Sequence, residues 1–565
     1  MLHFPAHLCS PLRDKNTNGT SIGRKHVWST FKRPQIEQAS QSEAIRSFVS
    51  KSLETCLREH ESCRRPSAPL PTRVLDVSTL NLVRLVEPSP GTVAPFIALS
   101  YCWGNGNSVT TTSVTIDDHK DGIVTGRLPQ TLQDAVQLTK ELGVQYLWID
   151  ALCIIQDSAE DWEIESAKMG SIYSDAHVTI AAISAPTAKD GFLRSKRDDR
   201  EVRMAWPDGS PIKARITVSD GPRWDDNPWG TRGWTFQEKI LSTRIILYSN
   251  KEAQWVCQGM SVCECGSATL TIKDDVLVAD REAASTIWRL SQPSVAHRYW
   301  NTLVSTYSER SLTVETDRLP ALSGIASTIA DVSKSTYIAG LWTEDLLQGL
   351  FWSRSTPSEV SMPGVYRGPT FSWARVDGPV YSSNRDPNWD EKEPEFKVGV
   401  LDAESTVDGK NPFGRLTHAQ IKIRAPLFPC TVQKTAVRLP GETSVLDYFR
   451  PDVEFCIVTK AESSRTDTYP ARKDTLLTMS EPPPHQNVDL DPLSDDHGEE
   501  TSALLLYIGS GGSSNGPDSD PSRVLLVLGP SPVQDGAYER LGLCSPSPVF
   551  PFEMPKGAIQ EVVII

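Results

Sequence analysis

The sequence predicts an α/β chain. It has a domain built on a parallel sheet with helical surroundings, followed by a β-rich C-terminal part. Three observations predict it. Strand-like and helix-like stretches alternate from Phe96 to Ile183, the pattern of a parallel sheet with crossover helices. The runs Phe96-Ile-Ala-Leu-Ser-Tyr101 and Tyr146-Leu-Trp-Ile149 are almost continuously apolar, as expected of strands buried on both faces. Beyond residue 395 the helical periodicity gives way to short strand-like stretches, such as Ala419–Arg424 and Ser522–Leu528.

The elements follow in order. Residues 1–45 are polar and irregular and read as a loose N-terminal arm. Residues 46–93 form a helix and strand lead-in. Ile45, Phe48, Val49, Leu53 and Leu57 recur at helical spacing up to Glu59. The proline-rich stretch 66–71 ends that helix, and Val74–Val77 with Leu80–Val86 read as a strand pair. The core domain spans 94–240. Within it, Leu132–Leu142 is a helix, with Thr131 and Asp134 in a capping-box arrangement and Gly143 as its stop. Asp161–Tyr173 is a second helix and His177–Ile183 a third strand. Residues 241–395 form an extension. Ile245–Tyr248 and Ala253–Cys257 make a hairpin around Ser249–Glu252, and helices are expected at Trp288–Ser308 and Leu319–Val332. Residues 396–565 are the β-rich part, with disordered loops expected at 482–502 and 509–521 from their Pro, Asp, Ser and Gly content.

Composition bounds the function. The 565 residues exceed one ordinary domain, and 39% hydrophobic with 23% charged residues fits a globular chain with a sizeable core. The net charge of -14 argues against a nucleic-acid partner, because phosphate contacts need clustered Lys and Arg. No apolar stretch approaches the ~20 residues of a membrane span, and the N-terminus lacks the pattern of a secretory signal. The 11 cysteines are scattered and odd in number, so most are expected to be reduced thiols in a cytoplasmic protein.

In an open parallel sheet, ligands bind beyond the C-terminal ends of the strands. Ser100, Tyr101, Cys102, Trp103, Gly104 and the loop 105–107 follow the first strand; Asp150, Cys153, Gln156 and Asp157 follow the second. Together they supply hydroxyls, carboxylates, an amide and aromatic faces. Trp234 and Gln237 add to this candidate lining. The plainer alternative is that Trp103 and Trp148 are core residues, while Ser100 and Asp150 satisfy loop backbone.

The helix from Asp161 carries the candidate catalytic residue. At ~100° per residue, Trp162, Glu165, Met169, Tyr173 and Ala176 share one face, and Glu163 points away. A carboxylate on an apolar stripe is costly unless paired or used, and desolvation raises its pKa toward the range of a general acid or base. The alternative is a Glu165 bonded to Lys168 or to backbone. Glu238 follows Thr235 in a capping-box pattern and is read as a helix cap.

No metal site is expected. Cys56, His60 and Cys63 lie close in sequence, and Cys257, Cys263 and Cys265 cluster with Glu264, but neither spacing is a paired CxxC…CxxC. A Cys–His nucleophile pair would draw on Cys102 or Cys153, yet both sit among apolar neighbours that favour an inert thiol. No phosphate-binding loop is present, and no strand-linked GxGxxG.

Three blocks then carry a resemblance: Phe96-Ile-Ala-Leu-Ser-Tyr-Cys-Trp-Gly104, Tyr146-Leu-Trp-Ile-Asp-Ala-Leu-Cys-Ile-Ile-Gln156 and Arg232-Gly-Trp-Thr-Phe-Gln-Glu238. In this order, with Asp161-Trp162…Met169-Gly-Ser-Ile-Tyr173 between them, they resemble the fungal heterokaryon incompatibility (HET) domain. Leu70-Pro-Thr-Arg-Val-Leu-Asp-Val77 and Pro369-Thr-Phe-Ser-Trp-Ala-Arg-Val-Asp-Gly378 extend the likeness. The resemblance implies a role in fungal non-self recognition and programmed cell death. It also implies a protein partner or self-association.

The family is distantly similar to TIR domains, some of which cleave NAD. That implies a TIR-like sheet, with NAD as substrate rather than resident cofactor. Glu165 would be the catalytic residue of an NAD glycohydrolase, and Ser100, Tyr101 and Trp103 would line the pocket. Here Glu165 stands three residues after Trp162, where the TIR pattern places its Glu four after. The competing expectation is a non-catalytic module that signals by assembly.

Overall fold

The structure, a computed structural model, describes residues 43–64, 68–104, 109–193, 201–205, 211–215, 227–250, 252–264, 293–354, 365–382, 399–433, 436–438, 445–446, 449–451, 501–511, 522–544 and 559–565. Residues 1–42 of the expected arm, the loop 105–107, Cys265, and most of the expected loops 482–502 and 509–521 lie outside them.

The first half is organised by a nine-stranded sheet. Its strands are β1 (Val74–Asp76), β2 (Leu82–Val86), β3 (Phe96–Ser100), β4 (Ile123–Val124), β5 (Tyr146–Trp148) and β6 (Val178–Ala181), then β9 (Arg244–Tyr248), β10 (Ala253–Cys257) and β11 (Ser261–Cys263). A separate hairpin, β7 (Glu201–Ala205) and β8 (Pro211–Arg215), intervenes in the chain. The order across the sheet is β11-β10-β9-β6-β3-β5-β1-β2-β4. Strand β3 pairs in parallel with both β5 and β6, and β6 in parallel with β9. Every residue of β3 and β6 is buried, as the unbroken apolar runs require. The flanks are antiparallel: β1 and β2 on one side, the β9–β10–β11 meander on the other.

Helix α1 (Glu43–Glu59) precedes the sheet. Helices α2 (Ile116–Asp121), α3 (Gln130–Glu141), the one-turn α4 (Asp150–Cys153) and α5 (Ala159–Asp175) link its strands, and α6 (Gly233–Leu241) leads into β9. Helix α5 starts where Ser158 accepts the N–H of Asp161 at 3.2 Å, a side-chain N-cap. Helix α3 corrects the expected capping box. It begins after Pro129, which places Thr131 and Asp134 inside the helix. Both serve the loop beyond β6 instead: Thr131 Oγ1 accepts from Gly191 N, and Asp134 Oδ2 from the N–H groups of Phe192 and Leu193.

Beyond the sheet, α7 (Pro293–Ser308) and α8 (Ser323–Ser333) join a second core with α6 and the C-terminal strands. Those strands, Leu416–Gln433, Thr501–Gly511, Ser522–Pro530, Ala537–Cys544 and Ile559–Ile564, pair in a ring that returns to its first member. The α/β class and the β-rich C-terminal part are thus both present.

Helix α5 meets α8 at two glycines. A Cβ on Gly170 would stand 2.8 Å from Gly324 Cα, a backbone atom that cannot swing away. Gly170→Ala should therefore destabilise the protein by about 1–3 kcal/mol by overpacking, read as a lower thermal midpoint.

Candidate functional site

The C-terminal ends of the parallel strands hold a buried polar cluster. Strand β3 ends on Ser100, whose side chain is enclosed. The indole Nε1–H of Trp229 donates to Ser100 Oγ at 2.8 Å, and the Ser100 hydroxyl donates in turn to Glu238 Oε2. The one hydroxyl proton is thereby committed to the carboxylate. Tyr173, from α5, donates to Leu99 O at 3.0 Å and lies in hydrogen-bond contact with Glu238. Arg232, just before α6, donates to Tyr101 O at 2.9 Å and also bonds the Cys102 thiol. Asp150 opens α4 at the end of β5. It accepts from Trp103 Nε1 at 2.9 Å, from Ala151 N at 2.7 Å and from the Tyr101 side chain. Gly104, at φ +71°, must be glycine, since a Cβ would stand 2.4 Å from Thr187 Cβ.

The charge of one guanidinium, Arg232, acts on two carboxylates, Glu238 and Asp150. Burial pushes both upward, Glu238 to about 7. The Ser100 hydrogen bond and the Arg232 charge only partly oppose that for Glu238, and the Asp150 charge adds to it. Arg232 is held above its ordinary value by Glu238, Cys102 and Asp150, which outweigh its own desolvation. Burial also raises both candidate thiols, Cys153 to about 12, which fits inert cysteines. A carboxyl that titrates near neutrality beside a fixed cation is equipped to take or give a proton.

The rim of this cluster is partly open. Trp103, Asp150 and Arg232 are half-buried and Gly104 is exposed, above a buried floor of Ser100, Tyr101, Tyr173 and Glu238.

The structure sorts the expected residues. Ser100, Tyr101, Trp103 and Asp150 converge. Gln156 lies beside them, with Nε2 donating to Asp150 O at 3.1 Å and to Ile154 O at 3.0 Å. Trp234 and Gln237 turn toward the C-terminal half: Trp234 Nε1 donates to Asp317 Oδ2, and Gln237 Oε1 accepts from Gly324 N at the start of α8. Glu165 is 1% exposed. Its Oε1 accepts from Thr72 Oγ1 at 2.8 Å and pairs with Lys168 Nζ at 3.0 Å, while Oε2 has no partner among the described residues.

Glu238 requires a correction. It is not a cap. Helix α6 starts at Gly233 with no side-chain cap bond, so Glu238 sits in its interior, facing Ser100. Thr235 Oγ1 is likewise taken up by Trp229 O and Arg232 O. Trp229, Arg232 and Tyr173 are absent from the sequence-based site. Arg232 lies in the third block and Tyr173 in the segment that links the second block to it, so both carry a signal that marks them; Trp229 carries none.

A second group of side chains lies at the sheet edge. Cys56, His60, Cys63 and Cys257 bring one donor atom each to within 4.8 Å of one another. Among the described residues, no helix is long and apolar enough to cross a membrane.

Comparison with known proteins finds a family likeness in the same segment. Residues 96–238 match the family model described as heterokaryon incompatibility protein (HET). The chain is 26% identical over 202 residues to heterokaryon incompatibility protein 6, OR allele, of Neurospora crassa, across 28% of this chain and 29% of that protein. It is 23% identical over 188 residues to vegetative incompatibility protein HET-E-1 of Podospora anserina, across 32% of this chain and 12% of that protein. The match thus spans less than a third of either relative. No solved structure matches the chain.

Proposed function

From the premise that this chain carries a HET domain at residues 96–238, we propose that it acts in fungal heterokaryon incompatibility, as a non-self recognition protein whose domain signals cell death. The observation that carries this reading is the convergence of all three family blocks on one cluster. The first gives Ser100, Tyr101 and Trp103, the second Asp150, the third Arg232 and Glu238.

The chemistry we propose for the cluster is cleavage of the nicotinamide–ribose bond of NAD. Glu238 suits the proton-transfer role, because it lies at the strand ends and titrates near neutrality. Glu165 remains the candidate for binding a ribose hydroxyl, since its unpartnered buried Oε2 is a costly acceptor that a ligand hydroxyl would satisfy.

A specific observation favours a second reading. Ser100, Glu165 and Glu238 are all nearly closed to solvent, which suits a module that signals by self-association or by engaging a protein partner without turnover.

The test is NAD loss and nicotinamide release by the purified full chain at high concentration, with light scattering run in parallel. If the domain is catalytic, Glu238→Gln should slow turnover by about 10²–10⁴-fold. Glu165→Ala should then weaken substrate use while the circular dichroism spectrum is retained. Self-association without turnover in the wild type selects the second reading.

A further inference from the structure

The four side chains at the sheet edge form a site that neither the HET match nor the strand-end cluster accounts for. Cys56 lies in the last turn of α1, His60 just beyond it, and Cys63 ends the short 3-10 turn Glu61–Cys63. Cys257 arrives from the end of β10. All three cysteines are buried and carry free thiols. We propose that Cys56, His60, Cys63 and Cys257 bind one zinc ion, which clips the N-terminal helix to the β10–β11 hairpin.

The geometry fits tetrahedral coordination. Zinc–thiolate bonds of about 2.3 Å place neighbouring sulfurs about 3.8 Å apart, within the observed 4.8 Å spread. Cys257 Sγ already stands 3.3 Å from His60 Nδ1. Three sulfurs and one imidazole are a soft donor set that selects zinc over magnesium or calcium.

The surroundings are built for it. The turn after Cys257 closes with Cys257 N donating to Met260 O at 2.9 Å, and the N–H groups of Gln258 and Gly259 point at the Cys63 sulfur. Gly259 packs on the imidazole so closely that a Cβ would stand 2.4 Å from the His60 ring. Only glycine allows that approach. Zinc with three thiolates leaves one negative charge. The buried Arg244 supplies the balancing cation, donating to Cys56 Sγ at 3.3 Å and to Cys63 O at 2.6 Å. A disulfide between any two of these cysteines would leave the third thiol and the histidine without a role.

Spacing alone hides this site, because neither cysteine group forms a paired CxxC…CxxC and Cys257 stands nearest Cys263 and Cys265 in sequence. The fold joins it to the distant Cys56–Cys63 segment instead.

The test is metal analysis of the full chain purified without chelator. About one zinc per chain is expected, falling at least fivefold in Cys257→Ser and persisting in His60→Cys, which keeps four donors. Cobalt exchange should give the intense thiolate-to-cobalt absorption of a tetrahedral site. Chelation should expose three thiols to a thiol reagent that they resist beforehand. Trace zinc after incubation with zinc and no cobalt–thiolate band, in wild-type protein, would overturn the proposal. So would a disulfide among these cysteines in protein isolated from the reducing cytosol.

Discussion

Arg73→Ala is expected to destabilise the protein by about 3 kcal/mol, because it removes a buried guanidinium and leaves its half-buried carboxylate partner unpaired. Arg73 is 5% exposed and precedes β1. Its Nε donates to Cys153 O at 2.7 Å, and its terminal nitrogen donates to Asp161 Oδ1 at 2.6 Å. One guanidinium therefore ties the entrance of β1 to the end of α4 and the first turn of α5. Asp161 also accepts the N–H of Ile155 at 2.8 Å, so its carboxylate organises the turn between those helices. Removing the guanidinium leaves that carboxylate and the Cys153 carbonyl short of donors inside the fold.

Arg73→Lys should recover little of the loss. A lysine gathers its three N–H donors on one nitrogen and lacks the planar fork by which Arg73 reaches the carbonyl from Nε and the carboxylate from its terminal nitrogen. Urea unfolding of wild type, Arg73→Ala, Arg73→Lys and Asp161→Asn, closed into a double-mutant cycle, measures the coupling. A wild-type midpoint in Arg73→Ala would mean that solvent replaces the guanidinium without cost, contrary to its burial.

The parallel sheet was legible because burial on both faces leaves a local signature. Phe96–Ser100 and Tyr146–Trp148 read as strands from composition alone, and the structure pairs them in register. The helical face holding Glu165 was legible for a similar reason. A period of 3.6 puts Trp162, Met169 and Tyr173 on one side, and the last two are buried with Glu165. Side-chain pairing across the fold was not legible. Thr235 and Glu238 satisfy a capping-box pattern perfectly well, but the helix starts two residues before Thr235, and the true partner of Glu238 is 138 residues away at Ser100. Cys257 and His60 are 197 residues apart, joined only because the edge hairpin folds back onto α1. The strand-end rule found Ser100, Tyr101, Trp103 and Asp150, since it depends on topology rather than on partners. Trp234 and Gln237 belong to a recognised block but face away from its cluster. Helix α6 has two sides, and one of them packs on α8 and the C-terminal half.

Glu238→Gln is expected to abolish a large pH dependence of stability. In the fold the Glu238 carboxyl titrates at about 7, against an ordinary value of 4.5. Between those two pH values the folded chain holds a proton that the unfolded chain releases. The native state binds more protons there, so stability falls as pH rises. The contribution is fully present below about pH 4.5, declines toward pH 7 and is gone above it, a total of roughly 3 kcal/mol if the group acts alone. Gln has the shape of the protonated acid: its carbonyl accepts the Ser100 hydroxyl and its amide contributes no charge. The variant should therefore lack this slope. Thermal midpoints of the two proteins should stand closest near pH 4.5 and diverge in favour of Glu238→Gln by pH 8. Titrating groups that do not interact with Glu238 cancel in the difference, which leaves Glu238 and the neighbouring Asp150 charge that acts on it. Parallel curves across that range would show that the carboxylate is fully paid for by Arg232 and Ser100, and that Glu238 stays ionised in the fold.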